Sequence, residues 1–129
     1  CRKAAEARTP GQPGTTDRGN PFVCRAADTV LRLFEERHIL EHVRIMGTYL
    51  WERLEEFAGN HECVVGHRGK GLIQGLEFDR PVGDIVSKAL LDQRLVLISA
   101  GANVIRFVPP LVVTQDHVDL MLEKLEASL

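Results

Sequence analysis

From Pro21 onward the apolar positions fall into a helical rhythm, with Phe22, Ala26, Ala27, Val30, Leu31 and Phe34 recurring every three or four residues. Asn20 stands where an N-cap side chain accepts a first-turn N–H, and Pro21 takes the first helical position, where its missing N–H costs nothing. The rhythm breaks near Arg37 to Ile39 and resumes as Val43, Gly47, Leu50, Leu54 and Phe57, with Glu52, Arg53, Glu55 and Glu56 on the wetter side. Two consecutive helices are predicted, the second stopped by Gly59-Asn60.

The pattern then changes period. Cys63 to Val65 and Leu72 to Phe78 have strand composition and are separated by Gly69-Lys70-Gly71, which reads as a hairpin turn. Pro81 is expected to open a further helix carrying Val82, Ile85, Val86, Ala89 and Leu90. Leu95 to Ile98 and Val104 to Val108 are read as short strands either side of a glycine-containing turn, the second ended by Pro109-Pro110. Val118, Met121, Leu122 and Leu125 mark a C-terminal amphipathic helix that Thr114 is placed to cap. The order α-α-β-β-α-β-β-α predicts an α/β domain of the α+β sandwich kind, a mostly antiparallel sheet with helices on one face. Residues 1–20 are basic at first, then rich in Gly, Pro and Thr, and read as an extended arm preceding a domain over 21–129.

Composition narrows the classes. At 129 residues the chain can bury a core without disulfides or a metal. Its net charge of −2, from 16 basic and 18 acidic side chains spread along the chain, offers no nucleic-acid face. Cys1, Cys24 and Cys63 share no ligand spacing, which argues against a disulfide framework or zinc site and for a reduced, cytoplasmic setting. No apolar run approaches the roughly 20 residues of a membrane span, and the first twenty residues are too polar for a secretory leader.

Two places hold candidate chemistry. The run "PGTTDRGNPFVC", Pro13 to Cys24, sets the hydroxyls of Thr15 and Thr16 at the mouth of a helix, whose free N–H groups and dipole suit an anion, above all a phosphate. The same residues also serve as plain loop-and-cap chemistry. In "NVIRFVPPL" the guanidinium of Arg106 is flanked by Val104, Ile105, Phe107 and Val108. A planar fork in such company suits bidentate capture of a carboxylate; the alternatives are a side chain facing solvent on an alternating strand, or one paired with a structural carboxylate. The five histidines, at 38, 42, 61, 67 and 117, include one i,i+4 pair, His38 and His42, but it straddles the helix break and has no nearby cysteine ligand, so all five read as surface or packing residues. Gly69-Lys70-Gly71 lacks the frame of a nucleotide loop, though Arg68 and Lys70 would lend positive charge to a nearby site. No nucleophilic triad or acid/base pair is defined by spacing.

Taken together, "GTT..GNP", "VVGHRGKGLIQGLEFDRP" and "NVIRFVPPLVVTQDHVDLMLEKLE" resemble the C-terminal part of a class III pyridoxal-phosphate aminotransferase, along nearly the whole chain. The resemblance implies the small domain of a fold-type I enzyme, usually a cytoplasmic homodimer. Such an enzyme moves an amino group between an N-acetylornithine-like amine and 2-oxoglutarate, a step of arginine biosynthesis, through pyridoxal 5'-phosphate. By the same resemblance Thr16 would reach the cofactor phosphate held in the other subunit, with Thr15 accessory, and Arg106 would grip a carboxylate of the amino or oxo acid. The family's cofactor-bearing lysine and its acidic partner at the pyridinium nitrogen lie upstream of the matching segment. Lys3 and Lys70 do not fall in that lysine motif, so the fragment alone is expected to be inactive. Pro13, Asp17 and Arg18 depart from the family's usual His, aromatic and Gly at those places, which brings a negative charge near the phosphate position and a side chain where a positive φ would favour glycine. A different class of reading, a stand-alone carboxylate-binding regulatory module using Arg106, is consistent with the missing lysine.

Overall fold

The computed structural model describes residues 19–129. Helix α1 spans Pro21–Glu36 and begins as its sequence predicts, with Asn20 Oδ1 accepting from the Phe22 N–H at 2.9 Å. It belongs to a unit that ends at Arg37, and none of its residues is buried. His38 adopts a left-handed conformation, φ 50°, which interrupts the helical path at the predicted break.

The second unit runs from His38 to Leu129. Helix α2, Ile39–Asn60, buries Ile39, Met46, Gly47, Leu50, Leu54 and Phe57, one face of a 3.6-residue period. Strands β1 (Val64–Lys70) and β2 (Ile73–Phe78) form the predicted hairpin. Lys70 still pairs with Ile73, so the loop is only Gly71-Leu72, shorter than the Gly69-Lys70-Gly71 turn read from the sequence. A bulge lies between Val64 and Gly66. Helix α3 (Gly83–Leu91), β3 (Ile98–Ser99), β4 (Val104–Phe107) and α4 (Gln115–Glu126) complete the chain.

The sheet order is β1-β2-β4-β3, and every neighbouring pair is antiparallel. Helices α2 and α4 close one face, and Leu50, Leu54, Leu76, Ile105, Val118 and Leu125 meet there at no more than 2% exposure. This is the mostly antiparallel sheet with helices on one face that the hydrophobic pattern implies.

Two boundaries differ from the sequence reading. Pro81 does not open α3: Val82 is buried with its N–H donated to Ala102 O at 2.9 Å, which holds it outside the helix, and α3 starts at Gly83. Leu95 to Leu97 do not join the sheet. Arg94 turns the chain through φ 54° and the Leu95 N–H is drawn back to Ala89 O at 2.8 Å, so only Ile98 and Ser99 reach the ladder. On the last helix the Thr114 side chain accepts from the His117 N–H while the Thr114 N–H donates to His117 Nδ1, a capping box with histidine in the place usual for glutamate.

Candidate functional site: an arginine on the open face of the sheet

Strand alternation decides the surroundings of Arg106. Ile105 and Phe107 enter the core at 0% and 3% exposure, and Arg106 stands on the opposite face of the sheet, exposed. Ile105 and Phe107 therefore point away from it, while Val104, two residues along the strand, shares its face. Among the described residues no ion pair involves Arg106, whose guanidinium carries five donors.

The register sets what shares that face. Arg68 pairs with Gly75 and Gly75 with Arg106, so the two arginines flank a residue with no side chain. At about 4.8 Å per strand their backbones lie about 10 Å apart. Arg68 is held by Glu77, Nη1 to Oε2 at 3.1 Å, two residues along β2 from Gly75. Lys70, two residues beyond Arg68, is exposed as well. The pairing of β1, β2 and β4 thus brings Arg68 to the arginine's own face with its charge matched by Glu77, while Lys70 borders a cleft beside α2 with Trp51 and Gln74.

A groove of about 400 Å³ opens beside Arg106. Its lining is drawn largely from Leu95–Ile98, Phe107–Pro110 and α4, and among the described residues that line it Arg106 and His117 carry the polar side chains. An apolar cleft with few polar groups at its wall is the usual form of a small-molecule site, the charged group fixing one end of the ligand. The groove contains no lysine; Lys70, Lys88 and Lys124 lie on β1, α3 and α4 outside it. The described residues therefore fit a carboxylate anchor and do not supply a covalent attachment point for a cofactor. Thr15 and Thr16, with Pro13, Asp17 and Arg18, lie outside the described residues.

Four of the histidines meet neighbours within the fold. His42 Nε2 lies 2.9 Å from Val113 O, His61 stacks on Phe57, and His117 completes the α4 cap. His67 has a side chain only 2% exposed and stacks on Trp51 with ring centroids 4.0 Å apart. Its Nδ1 lies 2.7 Å from Glu55 Oε1 and its Nε2 lies 3.1 Å from Oε1 of Gln74, a buried polar residue that the hydrophobic pattern does not single out.

A second polar cluster ties α2 to α4. The Tyr49 hydroxyl donates to Asp119 at 2.8 Å and Arg53 Nε donates to Asp119 Oδ1 at 2.9 Å, while Arg53 also pairs with Glu56. The hydrogen bond from Tyr49, and then that from Arg53, hold the Asp119 carboxyl below its ordinary range, and bonding to Asp119 raises the Tyr49 phenol. These groups lie away from the Arg106 groove and are satisfied by one another. Among the described residues no cluster of His, Cys, Asp or Glu is arranged to hold a metal ion, and no helix is long and apolar enough to cross a membrane.

Known proteins resemble this chain in sequence and fold. The profile of the family described as Aminotransferase class-III matches residues 1–129. Acetylornithine aminotransferase of Prochlorococcus marinus subsp. pastoris is 40% identical over 128 residues, covering 97% of this chain and 31% of that protein. The protein of the same name from Aquifex aeolicus is 38% identical over 127 residues, covering 98% and 32%. The crystal structure of acetylornithine aminotransferase from Elizabethkingia anophelis superposes on 96% of this chain and 32% of its own with a TM-score of 0.81, at 24% identity, a likeness of fold. The chain spans about a third of the length of the curated relatives it matches. The family profile, matched over residues 1–129 of a chain folded as a helix-backed antiparallel sheet, identifies the chain as a member of the class-III aminotransferases.

Proposed function

We propose that this chain is the C-terminal small-domain part of a pyridoxal-phosphate-dependent aminotransferase that acts on N-acetylornithine and 2-oxoglutarate in arginine biosynthesis. The observation that carries the reading is Arg106, unpaired among the described residues, on the open sheet face beside an apolar groove of about 400 Å³. The guanidinium binds and orients a substrate carboxylate through two parallel N–H donors, and the groove excludes water from the aliphatic part of the amino or oxo acid. Curated relatives named acetylornithine aminotransferase support the choice of amine. In this reading residues 21–129 form the small domain, and the arm over 1–20 carries Thr16, with Thr15, toward the cofactor phosphate of a partner subunit in a cytoplasmic homodimer. Pyridoxal phosphate, when bound, supplies the electron sink for the amino-group transfer. The 129 residues hold four lysines, at 3, 70, 88 and 124, and none falls in the family's lysine motif, so the chain alone does not transaminate.

Two measurements test this. Mixed with pyridoxal phosphate, the isolated chain is expected to give no absorbance band of a lysine-bound cofactor; a band lost on replacing Lys3 or Lys70 would overturn the missing-lysine reading. In the longer enzyme Arg106→Lys is expected to weaken carboxylate substrates by about 1.5–3 kcal/mol, the worth of a hydrogen bond to a charged group. Unchanged kinetics in both half-reactions would remove Arg106 from the site. Tight binding of 2-oxoglutarate by the isolated chain in titration calorimetry would favour a carboxylate-sensing module instead.

A further inference from the structure

Gln74 sits where packing alone calls for an apolar side chain. It is 2% exposed, in the inner strand β2, on the helix side of the sheet, with Leu76 and Phe78 continuing the same buried face. Its amide is fully engaged. Nε2 donates to Gly47 O of α2 at 3.0 Å and to Gly71 O of the hairpin loop at 2.6 Å, while Oε1 faces His67 Nε2 at 3.1 Å. Those two carbonyl acceptors fix which end of the amide is nitrogen, and His67 is held in turn by Glu55 and Trp51 of α2. The backbones meet closely at the same point. A Cβ on Gly47 would lie 2.9 Å from the Gly71 Cα, and Gly71 itself has φ 59°. Helix, loop and strand are thus clasped together through one buried amide.

The clasp lies one residue from the candidate substrate anchor. Gln74 pairs with Phe107 and the next residue, Gly75, pairs with Arg106, so the height of β2 above α2 passes through the ladder to the strand bearing the guanidinium. A satisfied buried polar network selects one arrangement where apolar packing tolerates several. A shift of about 1 Å at a positioned group is enough to cost a large factor in rate or binding. We propose that Gln74 is a positioning residue for Arg106, its amide clasp on Gly47 and Gly71 setting where the guanidinium meets the substrate carboxylate. This rests on the reading of Arg106 as the carboxylate anchor.

The test uses the longer enzyme that contains this chain, with 2-oxoglutarate as the probe. Gln74→Met keeps side-chain length and removes the amide. It is expected to raise KM for 2-oxoglutarate about tenfold, the size of a typical coupling between neighbouring groups, with kcat within about twofold and the melting temperature within about 3 °C. In an Arg106→Lys background the same substitution is expected to change KM by less than about threefold, because the group it positions is gone. A merely structural residue would lower the melting temperature and leave KM and its dependence on residue 106 untouched. An unchanged KM, or a rise that is fully additive with Arg106→Lys, overturns the positioning role while leaving the anchor in place. Arg106→Lys with unchanged KM removes the anchor itself, a separate failure. Should Gln74→Met not fold, Gly47→Ala carries the test: it keeps every polar group and presses on Gly71, and it is expected to raise KM in the same way, an unchanged KM again overturning the proposal.

Discussion

Asp119 shows how single side chains set the pH response. Tyr49 first, and Arg53 second, favour its charged form in the folded chain, so its folded pKa lies below the unfolded one. A depressed carboxyl contributes stability above its unfolded pKa and loses it as pH falls through the folded value, so this contribution is present at neutral pH and disappears on acidification below the ordinary carboxylate range. Asp119→Asn is expected to flatten the acid side of the melting-temperature profile, read by circular dichroism; an unchanged slope would exclude the cluster from acid unfolding. Thr114 acts on a different orphan group. It accepts the third N–H of α4, and Thr114→Ala is expected to cost about 1 kcal/mol in denaturant unfolding. The cap was legible from the residue type, since a Thr before an amphipathic run has few other local uses. Histidine as its reciprocal partner was not, because the box is usually closed by Glu or Gln. Arg106 was legible as a residue, and of the surroundings open to it the strand's alternation gives the exposed face, since immediate neighbours in a strand point to opposite sides.

For whole elements, the hairpin carries the most information. Gly71 takes a left-handed φ of 59° in a two-residue loop, and Gly71→Val is expected to cost about 1–2 kcal/mol through the β-branched side chain's strain there, measured against a Gly83→Val control whose φ is not positive. Leu76, wholly buried at the middle of β2, makes the sharper test of the core: Leu76→Ala is expected to cost about 2–5 kcal/mol. Helices α1, α2 and α4 and the hairpin were readable because each carries a full period of apolar positions between clear stops. The stretch around Leu95 was not. Its β-branched composition suits a strand, but whether a residue joins a sheet depends on where its N–H is spent, and Leu95 spends its own on the end of α3. Val82 made the same kind of exception at the start of that helix.

The molecule as a whole divides at Arg37, and the buried cluster lies entirely between Met46 and Leu125. A chain starting at His38 is therefore expected to melt cooperatively within about 3 °C of the 129-residue chain, since α1 contributes no buried residue to lose; a much lower midpoint would mean that residues before His38 stabilise the core. The sequence by itself determined the succession of elements, the caps at Asn20 and Thr114, the antiparallel sheet and the family, because these rest on local periodicity, on residue types with few alternatives and on motifs that stand in order along the chain. Only the tertiary structure decided which side chains share a face. The pairing of β1, β2 and β4 set Arg68 and Arg106 about Gly75, and the close approach of Gly47 to Gly71 made a buried glutamine the clasp between helix and hairpin. Both depend on register and on contacts between residues tens of positions apart, which no local pattern encodes.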